Sequence, residues 1–121
     1  VPHCLSGSDE CKVVDELLDI KNLEIIPKNS TNGFFAIDIN ILNDIDNVVV
    51  VGDCTDICIY QFVVTLKAYF NEKNINKNIV VPMNLVDTYD IPFVHPGDLL
   101  NVVFFNSMIQ NGVKLIKKFS L

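Results

Sequence analysis

Cys58 is the residue of this chain best placed for chemistry. It lies in Val48-Val49-Val50-Val51-Gly52-Asp53-Cys54-Thr55-Asp56-Ile57-Cys58-Ile59-Tyr60, where four valines closed by a glycine read as a strand of a buried parallel sheet. Thr55 or Asp56 then reads as the N-cap of a helix continuing through Ala68, which puts Cys58 in its first turn. Unpaired amides and the positive end of the helix dipole favour a thiolate there, the form in which cysteine is a nucleophile. The bland alternative for the same residue is a small buried hydrophobe. Upstream, Leu23-Glu24-Ile25-Ile26 reads as a short strand ended by Pro27, with Lys28 at its carboxyl edge. Right-handed crossovers bring Lys28 and Cys58 to one edge of the sheet, the edge at which open α/β folds bind ligands.

Gly52-x-x-Thr55-Asp56-x-Cys58 after an apolar strand resembles the nucleophile segment of the isochorismatase-like cysteine hydrolases, of which the nicotinamidases are one branch. The resemblance implies that Cys58 attacks an amide carbonyl, that the peptide entering Cys54 is cis, and that the backbone amides of Cys54 and Cys58 form the oxyanion hole. It also implies a catalytic lysine six residues before an aromatic, which Lys28 and Phe34 match, Phe34 then belonging to the substrate pocket. Pro2-His3-Cys4-Leu5-Ser6-Gly7-Ser8 is similar to the nicotinamidase segment Pro-His-Cys-x-x-Gly-Thr, with Ser8 keeping the hydroxyl of the usual threonine. In that branch the histidine, here His3, is one ligand of a divalent metal, and imidazole suits Zn, Fe or Mn.

Two parts of the pattern have no match among these 121 residues. One is the Asp-x-His segment that carries the other metal ligands. The other is the aspartate ending the first strand, which serves as acid and base. The resemblance therefore implies a three-layer αβα fold around a parallel Rossmann-like sheet, with residues 1–121 as the carboxyl-terminal portion of a single domain and the amino-terminal strands missing from this chain. The expected activity is cysteine-dependent hydrolysis of a small-molecule amide, nicotinamide first, with carbamoyl or ureido amides or isochorismate as alternatives, and an inactive scaffold of the same fold as the competing class. Loss of a central strand would expose edges, so the piece alone is expected to be inactive and the protein to form a homo-oligomer.

Composition fits a cytosolic globular domain: 50% of residues are hydrophobic and 20% charged, enough for one core. No apolar run approaches the ~20 residues of a membrane span. A net charge of −6 and nine basic residues, all lysine, argue against binding a phosphate backbone, so no nucleic acid and no membrane are expected as partners. The four cysteines match no zinc or disulfide spacing and are expected to be reduced. His95 in Val94-His95-Pro96 reads as a loop or interface histidine without an acidic or cysteine partner at a useful spacing. Asp53 and Asp56 stand near the nucleophile; a carboxylate two residues before a helical cysteine points away from its sulfur, so Asp56 reads as a cap or a brace.

The remaining chain alternates strands and helices. The pattern predicts a helix from Asp9 to Asp19 with Val13, Val14, Leu17 and Leu18 on one face, a short helix from Ile39 to Asp44, and a polar turn from Asn71 to Asn78. A strand follows over Asn78 to Val81, ended by Pro82. Met83 to Pro96 reads as a loop walling the cleft. Gly97 to Gln110 reads as a largely apolar helix with Gly112 at C′, before a final strand at Val113 to Ile116.

Overall fold

Three β-branched runs, each bounded by polar turns, pair in parallel because their connections are long enough to hold a helix. The computed structural model describes residues 2–119. Its main sheet has the order β1 (Asn47–Val49), β3 (Asn78–Pro82), β5 (Lys114–Ile116), all parallel, so β3 is central. A second ladder pairs β2 (Gly52–Asp53) with β4 (Val86–Asp87), also in parallel. The helices are α1 (Asp15–Leu18), α2 (Tyr60–Glu72) and α3 (Gly97–Gln110).

Register decides which side chains form the core. Val48 lies beside Ile79, and Leu115 beside Val81, so the alternate residues of the three strands share one face. That face joins Val63, Leu66 and Phe70 of α2 and Met108 of α3 in one cluster, with Ile79 and Val81 at 0% exposure. The opposite face carries Val49, which is 43% exposed. The valine run is thus covered on one side rather than both, and of the three layers expected the described residues supply the sheet and one helix layer. Leu66, also at 0% exposure, is one of the largest fully buried side chains of this cluster. Leu66→Ala is expected to lower stability by about 2–5 kcal/mol, because a packed core only partly collapses onto the space left behind. Urea unfolding followed by circular dichroism checks this.

Several sequence expectations hold closely. Helix α3 has the predicted bounds, and its C-terminus closes as a Schellman turn: Gly112 has φ +84°, and the Gly112 and Val113 amides donate to the Ile109 and Met108 carbonyls at 2.9 and 3.0 Å. Strand β3 matches as well, and Ile39–Leu42 is a short 3₁₀ helix. Between β3 and α3, the expected loop also contains a 3₁₀ turn at Met83–Leu85 and strand β4.

Three elements differ. The strand expected over Val48 to Val51 ends at Val49, and Val50 and Val51 link β1 to β2 outside either strand. The expected helix from Asp9 to Asp19 is a 3₁₀ turn, Asp9–Cys11, an extended stretch through Val14, and the single turn α1. Its apolar side chains Val14, Leu17 and Leu18 are 58%, 46% and 48% exposed, and a helix this short has little stability without a face to bury. Leu23 to Ile26 is not a strand: no described strand lies beside it, and extended backbone becomes a strand only with a ladder partner.

Candidate active site

The site forms where β2 hands over to α2. The peptide between Asp53 and Cys54 is cis, as the resemblance implies. The chain then makes one turn of π-helix, Thr55–Ile59, before α2 begins. Wide turns of this kind recur at functional sites because they release backbone groups from the regular ladder. Here the Cys54 carbonyl accepts from the Ile57 and Ile59 amides at 3.2 and 3.1 Å, passing over the Cys58 amide between them. The Cys54 amide makes no hydrogen bond among the described residues. Cys58 lies within this turn and Cys54 immediately before it. Neither Thr55 nor Asp56 supplies the expected side-chain cap: Cys54 occupies that position with no side-chain bond, and Thr55 is wholly buried.

Lys28 reaches this turn. Its Nζ lies 4.0 Å from Cys58 Sγ and donates to the Ser30 carbonyl at 3.0 Å. Pro2 to Ser6, Lys28 to Thr31 and Cys58 together bound an open cavity of about 580 Å³. His3, Lys28 and Cys58, drawn from three distant segments, thus face one space of a size suited to a small organic ligand. A metal needs three or more donors together, and among the described residues no three His, Cys, Asp or Glu side chains cluster in that way. The donor set present does not by itself fit the divalent ion implied for His3, and no step below runs through one.

Phe34 is not among the residues lining this cavity. Its ring packs edge-on to Phe35 and tilted against Tyr69, with centroids 5.8 and 5.6 Å away, and leans on the core cluster. Its position explains how Lys28 is held. Thr31 Oγ1 donates to Gln61 Oε1 at 2.9 Å, Asn32 Nδ2 donates to Thr65 Oγ1 at 3.0 Å, and Phe34 meets Tyr69. Gln61, Thr65 and Tyr69 recur every four residues along one face of α2 and receive the segment that follows Lys28. The sequence reading missed this stripe, whose only local sign is a polar period of four within an apolar helix.

It also missed the partner of His95. Pairing of β2 with β4 carries the loop after β4 over the first turn of the cysteine helix, and His95 Nε2 meets Asp56 Oδ2 at 2.9 Å. The histidine therefore has an acidic partner, 39 residues away in sequence, where none was expected at short spacing. Asp56 braces the loop, as one of its two expected roles. A separate cavity of about 460 Å³ is bounded by Asp53, Asp87 and Asn101 and contains neither Lys28 nor Cys58. There the Asn101 side-chain amide, and after it the Thr88 N–H, hold the Asp87 carboxyl below its ordinary value.

No protein-family model matches this chain. It is 26% identical over 144 residues to Nicotinamidase 1 of Arabidopsis thaliana, a match covering 98% of this chain and 59% of that relative's length. Among solved structures it is similar to a putative isochorismatase hydrolase from Oleispira antarctica, with TM-score 0.75 and 21% identity over 95% of this chain and 61% of that one. It is similar also to N-carbamoylsarcosine amidase from Thermoplasma acidophilum, with TM-score 0.73 and 21% identity over 99% of this chain and 62% of that one. With these likenesses and a parallel α/β arrangement, the chain has the isochorismatase-like hydrolase fold and is similar in sequence to a nicotinamidase over nearly its whole length, while spanning about three-fifths of that relative.

Proposed function

We propose that the protein carrying this chain is a cysteine amidohydrolase that converts nicotinamide to nicotinate and ammonia. The observation that supports it most directly is the approach of Lys28 Nζ to Cys58 Sγ at 4.0 Å, at the edge of a cavity that His3 also lines. A positive charge beside the sulfur, at a helix start, is the setting in which cysteines act as nucleophiles. The thiolate sulfur bonds to the amide carbon, and the carbonyl π pair moves to oxygen, where the Cys54 and Cys58 amides receive it. Collapse of this adduct breaks the C–N bond. The proton that left the thiol goes to the departing nitrogen, which leaves as ammonia. Water then adds to the thioester, the S–C bond breaks, and the acid departs as the thiolate re-forms. The family scheme gives both proton transfers to an aspartate for which these 121 residues offer no matching position. Hydrolysis of a carbamoyl amide would follow the same steps.

The full-length protein is expected to release ammonia from nicotinamide. Iodoacetamide at about pH 6–7 is expected to label Cys58 ahead of Cys4, Cys11 and Cys54, since a stabilised thiolate reacts where ordinary thiols stay protonated. Cys4 and Cys11 are exposed and Cys58 is half-buried, so accessibility alone predicts the opposite order. Faster labelling of Cys4 and Cys11, together with silence toward amides, would remove the proposal; turnover of carbamoyl amides alone would move the substrate and leave the chemistry in place.

A further inference from the structure

We infer that Asp56 and His95 form a clamp that sets the geometry of the cysteine turn, acting as positioning residues for the oxyanion amides. The inference rests on the function proposed above and assigns a part to two residues that the thiol chemistry leaves unused. Asp56 is two residues before Cys58, on the same π turn, and its side chain is 7% exposed. Oδ1 accepts from Thr88 Oγ1 at 2.6 Å, and Oδ2 meets His95 Nε2 at 2.9 Å. The other ring nitrogen of His95, Nδ1, lies 2.8 Å from the Tyr89 carbonyl, which can only accept. Both ring nitrogens are thus engaged, one by the Asp56 carboxyl and one by the Tyr89 carbonyl, so the ring is held from two sides.

The loop is built to hold that ring still. His95 stacks on Tyr89, with centroids 3.8 Å apart and planes 16° from parallel. The His95 amide donates to the Ile91 carbonyl at 2.8 Å and the Ile91 amide to the His95 carbonyl at 2.9 Å, closing a tight turn. Gly97, the first residue of α3, lies against the same Tyr89 carbonyl: a Cβ there would stand 3.0 Å from it. The Gly97 amide donates to Asp90 Oδ1 at 2.8 Å. The carboxylate of Asp56 is therefore fixed from the loop side by two partners that are themselves anchored to the start of α3. A backbone turn with one side chain pinned in this way cannot relax toward a regular α-helical start without breaking a nearly buried pair. The consequence falls on the amides of the same turn, which catalysis needs aimed at the developing oxyanion more than at the ground-state carbonyl.

The test uses the full-length protein and the variants Asp56→Asn, His95→Gln and their double. Hydrogen exchange reads the turn directly. The Ile57 and Ile59 amides are expected to exchange about tenfold faster in each single variant, with α2 beyond Tyr60 unchanged, as local opening would give. Turnover is expected to fall about 10–100-fold in kcat with KM within about threefold, while the iodoacetamide rate at Cys58 holds within about twofold. The double variant, in which two amides can still bond to each other, is expected to lose less than the sum of its singles. Unchanged exchange at Ile57 and Ile59 in folded single variants overturns the clamp whether or not the protein is active. Alkylation that slows in step with kcat overturns it too, since the pair would then act on the thiolate. If the parent protein releases no ammonia from any amide, the proposed function fails by itself and the exchange data still judge the clamp.

Discussion

Replacing Cys58 by alanine is expected to abolish ammonia release from nicotinamide, with a loss of about 10⁴-fold or more in kcat, because no other group can form the thioester. The alternatives can be compared by position. Cys54 is four residues earlier, ahead of the π turn, and the proposed mechanism uses its backbone amide rather than its thiol. Cys4 lines the same cavity, but its thiol lies 3.8 Å from the Glu10 carbonyl and has no lysine beside it among the contacts of the described residues. Neither has the combination of helix start and ammonium that Cys58 has. The fold should survive the change, since Cys58 is half-buried and stands outside the cluster that carries the core. A coupled ammonia assay measures the loss, and an unchanged unfolding midpoint separates it from damage to the fold. Retained turnover in Cys58→Ala would mean that the lysine and the helix start serve a different chemistry.

Lys28→Met is expected to cost about 10²–10³-fold in kcat/KM and to slow alkylation of Cys58 at about pH 7. A unit charge 4.0 Å from the sulfur interacts with a thiolate by about 4 kcal/mol at the effective dielectric of a protein surface and by about 1 kcal/mol in bulk water. Lys28 is exposed to solvent, so the smaller figures of that range weigh more heavily for the thiolate alone. The remainder of the loss comes from orientation. Nζ donates to the Ser30 carbonyl, and methionine keeps the stem but breaks that tie within the cavity wall. Lys28→Arg is the informative companion: it keeps the charge with a different reach, so partial recovery of alkylation without recovery of kcat would separate the two contributions. If Lys28→Met leaves both rates unchanged, Lys28 is a surface charge that happens to lie near the cysteine. The clamp variants should differ from Lys28→Met in one respect, since they lower turnover and spare the thiol.

Local signals carried far in this chain. Four valines, a glycine and the cysteine at the opening of a helix placed Cys58 at the handover from sheet to helix, because caps, breakers and β-branched runs act within a few residues of themselves. The same is true of α3, whose C-terminus is set by Gly112, and of β3, which stops at Pro82. Lys28 reaches the site of Cys58 although the strand expected before it does not form. The tertiary structure decided everything that needed a partner. Leu23 to Ile26 has the composition of a strand but no neighbour to pair with, and Val14, Leu17 and Leu18 have the spacing of a helix face but nothing to cover them, so neither became the expected element. Phe34 went to Tyr69 instead of the cavity because the side chains before it were already taken by Gln61 and Thr65. Asp56 and His95 are 39 residues apart, and no periodicity links them. They meet because β2 pairs in parallel with β4, which is a choice among strands that the residues of either strand do not make alone.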